Sequence, residues 1–178
     1  MRRLWAGILQ RVPGSRLVVL GVAEGRARDE LLADLAGAGG ERARITVLPY
    51  VSLQDYYNWF NAVDIALDTA PYSGGTTSCD ALWMGVPVVT APGSRPSSRS
   101  TASILSTAGL PEWIASSPED YVRLAAEYAR DEARLVGLRK SLRERLRQSP
   151  LMDEERFVRD VENAYRRMWR DWCGGVLA

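Results

Sequence analysis

Histidine is absent from the 178-residue chain, and lysine occurs once, at Lys140. Histidine is the commonest general base and metal ligand in proteins, and lysine is the nucleophile that forms Schiff bases with carbonyl compounds. Chemistry carried out by this polypeptide must therefore use carboxylates, hydroxyls, arginine, cysteine or backbone dipoles, or groups that another chain supplies.

Cysteine is scarce, and no apolar run is long. Cys79 and Cys173 are too few for a disulfide scaffold, and no apolar stretch approaches the roughly 20 residues that span a bilayer. Residues 1–5 also lack the apolar segment and small-residue cleavage site of a secretory signal. We therefore expect a protein of the reducing cytoplasm that is not attached to a membrane.

Neither sign of charge is in excess, because 23 basic side chains are balanced by 22 acidic ones and the formal net charge is +1. A strongly basic nucleic-acid-binding protein is therefore not expected. With 46% hydrophobic and 25% charged residues, the composition is that of a soluble globular protein rather than a disordered one. The length corresponds to one domain with room for an appendage.

Short apolar runs alternate with segments of helical periodicity over the first two thirds of the chain. The apolar runs, each typical of a buried parallel strand, cover residues 16–21, 44–48, 63–67, 86–91 and, more weakly, 112–115. The helix-like segments cover residues 2–12, 26–38, 53–61, 76–85 and 98–108. This alternation predicts an α/β fold with a Rossmann-like, doubly wound parallel sheet, whose ligands bind beyond the carboxyl ends of the strands.

The last third of the sequence predicts a helical C-terminal extension. It opens at Ser117, a helix cap followed by proline at the first helical position. We predict a sugar-nucleotide-binding core over residues 1–116, helices packing on the same domain over 117–173, and a tail over 174–178. One of these helices is rich in arginine, and its interleaved acidic residues favour a solvated face over an RNA-binding or membrane-binding one.

The most informative pattern is a strand, a glycine-containing loop, a helix, a turn and a second strand in succession. Gly74 and Gly75 let the backbone approach a ligand closely, and Thr76 and Thr77 place hydroxyls beside the unpaired amides of the helix start. A diphosphate fits such a helix start. Asp80 lies one turn further on, where its carboxylate can accept hydrogen bonds from vicinal hydroxyls such as those of a ribose.

The same residues also have a purely structural interpretation. A glycine turn with a threonine cap begins many helices, and Asp80 would stabilise the helix dipole. The Gly-Gly-Thr-Thr spacing is a weak signal that does not separate the two interpretations. Asp68 ends the preceding strand, and we expect it to orient the Gly74 loop rather than to touch a ligand.

The segment from Asp68 to Val89, which includes GTTSCDALWMGVPVV, resembles the nucleotide-sugar-binding half of the O-linked N-acetylglucosamine transferase family, SPINDLY-like enzymes included. The similarity covers about residues 4–170. It implies a GT-B glycosyltransferase, in which two Rossmann-like domains face each other and the C-terminal one holds a UDP-sugar. Such enzymes transfer the sugar to Ser or Thr hydroxyls of proteins, need no metal or other cofactor, and usually carry tetratricopeptide repeats upstream.

The resemblance also implies roles for individual residues. By position, Thr76 and Thr77 should contact the diphosphate through their hydroxyls and amides, and Asp80 should contact the ribose. Donors at the helix start would then stabilise the leaving UDP, with no covalent intermediate. The expected donor is UDP-N-acetylglucosamine, and the expected acceptor is a Ser or Thr hydroxyl of a protein.

Other expected contacts come from two neighbouring loops. Val51 and Leu53 belong to the loop that corresponds to the family's uracil-binding loop. Arg99 should lie close to the sugar-nucleotide cleft, where its guanidinium would neutralise phosphate. A solvent-facing Arg99 capped by Ser98 is the alternative.

The chain departs from the family pattern at several positions. Gly75 stands where a histidine usually precedes the threonine pair, and Tyr56 stands where the family usually has another histidine. Tyr56, Tyr57 and Trp59 are either stacking groups for base or sugar, or core and interface aromatics. The family's phosphate-binding lysine, N-terminal catalytic half and repeats are not matched, so we expect the chain alone to be inactive in transfer.

Two further functions stay open: binding of UDP or a UDP-sugar without catalysis, and half of a split transferase that uses another donor sugar, fucose or glucose. In GT-B enzymes the final helix crosses between the halves. We therefore expect an exposed apolar patch on that helix and self-association through it. The patch residues are Phe157, Tyr165, Met168, Trp169 and Trp172.

Overall fold

Short parallel strand pairs flanked by helices organise residues 1–175, the part of the chain that the computed structural model describes. Both pairs are parallel, and they join β1 (Leu17–Leu20) to β2 (Ile45–Leu48) and β3 (Ala66–Leu67) to β4 (Val88–Val89). The predicted weak strand near residue 114 contributes a single parallel bridge, between Thr90 and Ile114. Residues 176–178 of the predicted tail lie outside the described residues.

The α/β alternation agrees with the prediction, whereas one continuous five-stranded sheet is not seen within residues 1–175. The β3–β4 ladder is short: the Ala66 amide donates to the Pro87 carbonyl oxygen and the Asp68 amide to the Val89 carbonyl oxygen, both at 2.9 Å. Pro87 and Pro92 lie on either side of β4 and have no amide hydrogen to donate, which limits how far this strand can pair.

The helices lie close to their predicted positions. Within residues 1–175 they are α1 (Arg2–Arg11), α2 (Arg26–Gly37), α3 (Leu53–Trp59), α4 (Thr76–Trp83), α5 (Ser100–Thr107), α6 (Pro118–Tyr128), α7 (Glu132–Arg147) and α8 (Glu154–Cys173). Side chains at several helix starts accept the amide hydrogen three residues further on, which explains why the chain turns into a helix there. These caps are Ser52, Ser117, Asp131 and Asp153.

Two hydrophobic clusters stabilise the part of the chain that precedes α8, which we call the body. The larger one packs α4, α5, α6 and α7 around β3 and β4, and its buried side chains include Leu82, Trp113 and Tyr121. The smaller one lies between α1, α2 and the β1–β2 pair, around Leu35 and Ile45. Of the helices predicted after residue 117, α6 and α7 therefore share a core with the strands.

Arginines fasten α7 to this body. Arg139 donates to the carbonyl oxygens of Phe60, at 3.0 Å, and Val63. Arg143 donates to the Trp83 carbonyl oxygen at 2.8 Å, with its guanidinium over the Trp83 ring. The prediction of a solvated arginine face is therefore wrong for Arg139, which is partly buried, because carbonyls at helix ends lack helical partners and accept its donors. Arg143 makes a contact of the same kind but remains exposed.

Helix α8 extends away from the body. None of its 20 residues is buried, and it contacts the turn at residues 150–152. Its large apolar side chains are exposed, as the sequence predicts, while self-association stays a prediction. They are Phe157, Val158, Tyr165, Met168, Trp169 and Trp172. No helix within residues 1–175 is both long and apolar enough to cross a membrane.

Candidate functional site

The loop between β3 and α4 is held in place by the buried carboxylate of Asp68, which directly follows β3. Asp68 Oδ1 accepts the Gly74 amide at 2.7 Å, and Oδ2 accepts the hydroxyls of Ser73 at 2.8 Å and Thr90 at 2.5 Å. Asp68 is 8% exposed, so these donors replace the water that would otherwise stabilise its charge. The geometry agrees with the expectation that Asp68 orients the Gly74 loop.

Buried hydroxyls tie the same loop to α5. The Thr101 amide donates to Ser73 Oγ at 3.0 Å, and the Thr101 hydroxyl donates to the Gly74 carbonyl oxygen at 2.9 Å. Ser78 Oγ, on α4, lies 2.8 Å from Thr101 Oγ1. Because Ser73, Ser78 and Thr101 are buried and hydrogen-bonded, they fix the backbone of the loop.

Helix α6 also contacts the end of β3. The Tyr121 hydroxyl donates to the Asp68 carbonyl oxygen at 2.9 Å. Burial raises the pKa of the Tyr121 phenol above its ordinary value, so the phenol remains a donor at neutral pH. Tyr121 therefore anchors the end of β3 that precedes the loop.

The start of α4 is open. Gly75 is the residue before the helix, no side chain caps it, and Thr76 and Thr77 are exposed. The first amides of a helix have no helical partner and carry a partial positive charge, which suits an anion. These are the residues from which the sequence predicts diphosphate contacts.

The two glycines of the loop differ in their surroundings. A Cβ at Gly74 would lie 2.4 Å from Ser78 Oγ and 2.9 Å from Thr77 Oγ1, closer than real Cβ contacts come. A Cβ at Gly75 would meet nothing within 4 Å. Gly74 is therefore required by packing inside the chain, whereas Gly75 borders open space at the start of α4.

Asp80 is shared by two tyrosines of α3. Tyr56 donates its hydroxyl to Asp80 Oδ2 at 3.1 Å, and Tyr57 donates to Oδ1 at 3.2 Å. Burial and the Asp80 charge raise the pKa of the Tyr56 phenol, and the Asp80 charge is the main cause that raises the pKa of the Tyr57 phenol. Both phenols therefore stay protonated at neutral pH. Hydrogen bonding to Asp80 is a role that the sequence analysis did not anticipate for either tyrosine.

The loop after β2 leads into α3 beside a groove of about 270 Å³. The groove is lined by Leu48, Val51, Asp55, Asn58, Trp59 and Ala62. Leu53 does not line it and is 70% exposed. The structure thus places Val51 and Trp59, but not Leu53, at this groove.

Arg99 lies at the start of α5, on the loop that follows β4. It is exposed, and its guanidinium donates to the Gly93 carbonyl oxygen at 2.9 Å. The Ser73 amide donates to the Ser97 carbonyl oxygen at 2.9 Å, which joins this loop to the Gly74 loop. The Ser98 hydroxyl donates to the Arg95 carbonyl oxygen at 2.7 Å, so it does not cap Arg99 as the alternative interpretation supposed.

Helices α3 and α4 therefore meet at Asp80, and the loops that follow β3 and β4 meet at Ser73 and Ser97. The predicted residues on one loop-and-helix unit are Gly74, Gly75, Thr76, Thr77 and Asp80, with Tyr56 in contact with it. Sequence reasoning missed Ser73, Thr90 and Thr101, which hold this unit in place. Thr90 could have been found as a hydroxyl at the end of an apolar run, and Thr101 as a hydroxyl on the buried face of a helix, whereas Ser73 is a loop serine with no such signal.

A larger cavity, of about 450 Å³, lies away from these loops. It is lined by Asp64, Ala129, Glu132, Leu135, Val136, Arg139 and Lys140. Asp64 precedes β3, so this cavity is at the amino end of that strand, whereas ligands of α/β folds bind at the carboxyl end. Among residues 1–175, no three acidic or cysteine side chains come together as a metal site would require.

Comparison with known proteins shows which family the chain belongs to. The family model described as glycosyl transferase family 41 matches residues 1–161. The chain belongs to glycosyl transferase family 41. The resemblance inferred from the segment Asp68 to Val89 is thereby confirmed.

Family 41 relatives match almost the whole chain. It is 43% identical over 176 residues to the probable UDP-N-acetylglucosamine–peptide N-acetylglucosaminyltransferase SPINDLY of Oryza sativa subsp. japonica, covering 97% of this chain and 19% of the relative. It is 33% identical over 173 residues to the similarly named SEC of Arabidopsis thaliana, covering 96% and 18%. A solved mutant O-GlcNAc transferase from Thermobaculum terrenum matches with a TM-score of 0.89 and 40% identity, covering 99% of this chain and 34% of that one. The chain thus spans about a fifth of the length of these curated relatives.

Proposed function

We propose that this chain is the donor-binding part of a glycosyltransferase that moves N-acetylglucosamine from UDP to Ser and Thr hydroxyls of proteins. The relatives' names contain this donor and a peptide acceptor, and the chain corresponds to about a fifth of their length. The observation that carries the proposal is the uncapped start of α4, with Gly74 fastened to Asp68 and Asp80 one turn further on.

We assign the parallel strand pairs and their helices to the Rossmann-like, C-terminal half of a GT-B fold. The TM-score of 0.89 to an O-GlcNAc transferase supports this assignment. Donor sugars then bind beyond the carboxyl ends of the strands, where the Gly74 loop lies.

The diphosphate is assigned to the start of α4. The amides and hydroxyls of Thr76 and Thr77 donate to its oxygens, and the helix dipole favours its negative charge. When the bond between sugar and UDP breaks, negative charge grows on the terminal phosphate of UDP. Donors that are already in place stabilise that charge more than they stabilise the bound donor, which lowers the barrier.

The other contacts follow from neighbouring residues. Asp80 accepts hydrogen bonds from the ribose, and the uracil enters the groove beside Val51 and Trp59. Arg99 is exposed at the adjoining loop, and its guanidinium can leave the Gly93 carbonyl oxygen for a phosphate at little cost.

The test is a calorimetric titration of the purified chain with UDP, alongside Asp80→Ala. We expect UDP to bind and the variant to bind at least tenfold more weakly, because a hydrogen bond to a charged group contributes about 1.5–3 kcal/mol. Asp29→Ala is the matched control, since Asp29 is an exposed aspartate on α2, and it should bind as the unsubstituted chain does. Absence of UDP binding by the folded chain would overturn the proposal.

A second candidate is a module that binds UDP or a UDP-sugar without transferring it. Two observations favour it: the chain has no histidine, and burial followed by the Asp80 charge raises the pKa of the Cys79 thiol, which keeps it from being a thiolate nucleophile. We expect the purified chain not to glycosylate a Ser/Thr peptide from UDP-N-acetylglucosamine. Measurable turnover would exclude the non-catalytic function, and competition with UDP-glucose or GDP-fucose would report the preferred sugar nucleotide.

The cellular setting is part of the same proposal. Scarce cysteine favours the reducing cytoplasm. The balanced charge favours sugar nucleotides and proteins over nucleic acid as partners.

A further inference from the structure

The contact between α3 and α4 passes through a single carboxylate. Tyr56 and Tyr57 are consecutive residues of α3, and consecutive helical side chains point about 100° apart. Even so, both hydroxyls reach Asp80, one on each carboxylate oxygen, at 3.1 and 3.2 Å. The two bonds together fix the plane of the carboxylate, which one bond alone would leave free to rotate.

The two phenols leave acceptor capacity on Asp80. An ionised carboxylate has about four acceptor positions, two on each oxygen. Each phenol uses one position, so that one stays open on each oxygen. Two open positions side by side, one per oxygen, match a pair of hydroxyls on adjacent carbon atoms.

Ring packing holds the phenols themselves. The Tyr56 ring packs edge-on against Phe60, with centroids 5.1 Å apart, and against Tyr57 at 5.2 Å. Both tyrosines are partly buried, as is Asp80. Within residues 1–175, Asp80 forms no salt bridge, so its orientation is set by neutral donors and its negative charge is not cancelled by a cation.

We propose that Tyr56 and Tyr57 are positioning residues that hold the Asp80 carboxylate for the two ribose hydroxyls of the bound nucleotide. This inference rests on the proposed function, because the ribose belongs to the UDP part of the donor. It makes the Tyr56–Asp80–Tyr57 group the element that distinguishes a ribonucleotide from one without those hydroxyls.

The experiment combines Tyr56→Phe and Tyr57→Phe with two nucleotides, UDP and 2′,3′-dideoxyuridine diphosphate, in calorimetric titrations. Phenylalanine keeps the ring and removes the donor. For each variant we expect UDP affinity to fall about threefold to tenfold, the usual effect of losing one ordinary hydrogen bond, while affinity for the dideoxy nucleotide changes by less than about twofold. This difference is the coupling between phenol and ribose hydroxyls.

Two controls separate positioning from a general loss of structure. Tyr165→Phe makes the same chemical change on α8, where the side chain is 67% exposed, and should leave both affinities unchanged. Asp80→Asn keeps the size of the side chain but removes one acceptor oxygen, and should reduce the preference for UDP over the dideoxy nucleotide. Unfolding curves confirm that each variant is folded before it is titrated.

The outcomes distinguish this inference from the function on which it rests. If the unsubstituted chain binds UDP and both phenylalanine variants bind it equally well or better, the positioning role is overturned and donor binding stands. If the variants lose affinity for both nucleotides equally, the tyrosines act on the fold and the inference is again overturned. If the unsubstituted chain binds no UDP, the proposed function fails first and the inference fails with it.

Discussion

The Gly74 loop and helix α8 differ in whether their side chains find partners within the chain. In the loop, polar groups that would be costly to bury find partners within the chain, chiefly Asp68, Ser73 and Thr101. In α8, no residue is buried, and Trp169 and Trp172 are 68% and 66% exposed. The loop therefore owes its geometry to this chain alone, whereas the apolar face of α8 gains its full stabilisation only from contact with another surface.

Helix α8 is supported mainly by interactions along its own length. Asp153 caps its start, and pairs of opposite charge stand four residues apart on its surface. Such pairs contribute a few tenths of a kcal/mol each. They join Arg156 to Asp160, Arg159 to Glu155 and Arg166 to Glu162. Substitutions in the loop and in α8 should therefore differ widely in their effect on the body.

The largest effect is expected at Asp68. Asp68→Ala leaves the Gly74 amide and the Ser73 and Thr90 hydroxyls without their acceptor in a buried place. We expect a loss of about 3 kcal/mol or more in the free energy of unfolding, measured by urea denaturation. Asp68→Asn keeps the shape and one carbonyl oxygen, and should lose less. A stability of Asp68→Ala within about 0.5 kcal/mol of the unsubstituted chain would contradict the role given to this carboxylate.

The next effect separates the two glycines. Gly74→Ala forces its Cβ against Ser78 Oγ and should cost about 1–3 kcal/mol of stability. Gly75→Ala meets no atom within 4 Å and should cost less than about 1 kcal/mol, while its methyl group at the helix start weakens UDP binding. Urea denaturation and UDP titration of both variants test whether Gly74 matters mainly for stability and Gly75 mainly for binding. Equal losses of stability would show that the loop is not fixed in the way described.

The smallest effect on stability is expected in α8. Trp169→Glu should change the free energy of unfolding by about 0.5 kcal/mol or less, because the side chain contributes to no core. It should nevertheless reduce the self-association that we expect of the unsubstituted chain, which light scattering over a concentration series measures. Asn163→Glu adds the same charge to an exposed polar position and should leave association unchanged. An unsubstituted chain that is monomeric at all concentrations would remove the basis for this expectation.

Local patterns predicted most of the fold. The helical periods, together with caps such as Ser117 and Asp131, mark helices that lie where they were expected. The extent of strand pairing was less predictable, because it depends on which segments meet in space and on prolines such as Pro87 beside a strand. The position of Arg139 was unpredictable for the same reason. An arginine on a helix is expected to be solvated unless the carbonyl oxygens that accept its hydrogen bonds are known.

The site was predictable where its residues are neighbours in the sequence. Gly74 to Asp80 form one continuous pattern, and the loop and helix they predict are present. The supports are separated along the chain: Thr101 lies 28 residues after Ser73, and Tyr57 lies 23 residues before Asp80. The sequence does not show which distant residue a hydroxyl or a phenol will bond to, so these contacts could be identified only from the three-dimensional structure.

The open space beside Gly75 has an evolutionary consequence. A substitution at position 74 is filtered by folding, whatever ligand the descendants bind, because any side chain there meets Ser78. A Cβ at position 75 meets no atom of the chain within 4 Å, so packing there restricts a small side chain far less. Position 75 can therefore change more readily than position 74 while the loop keeps its packing.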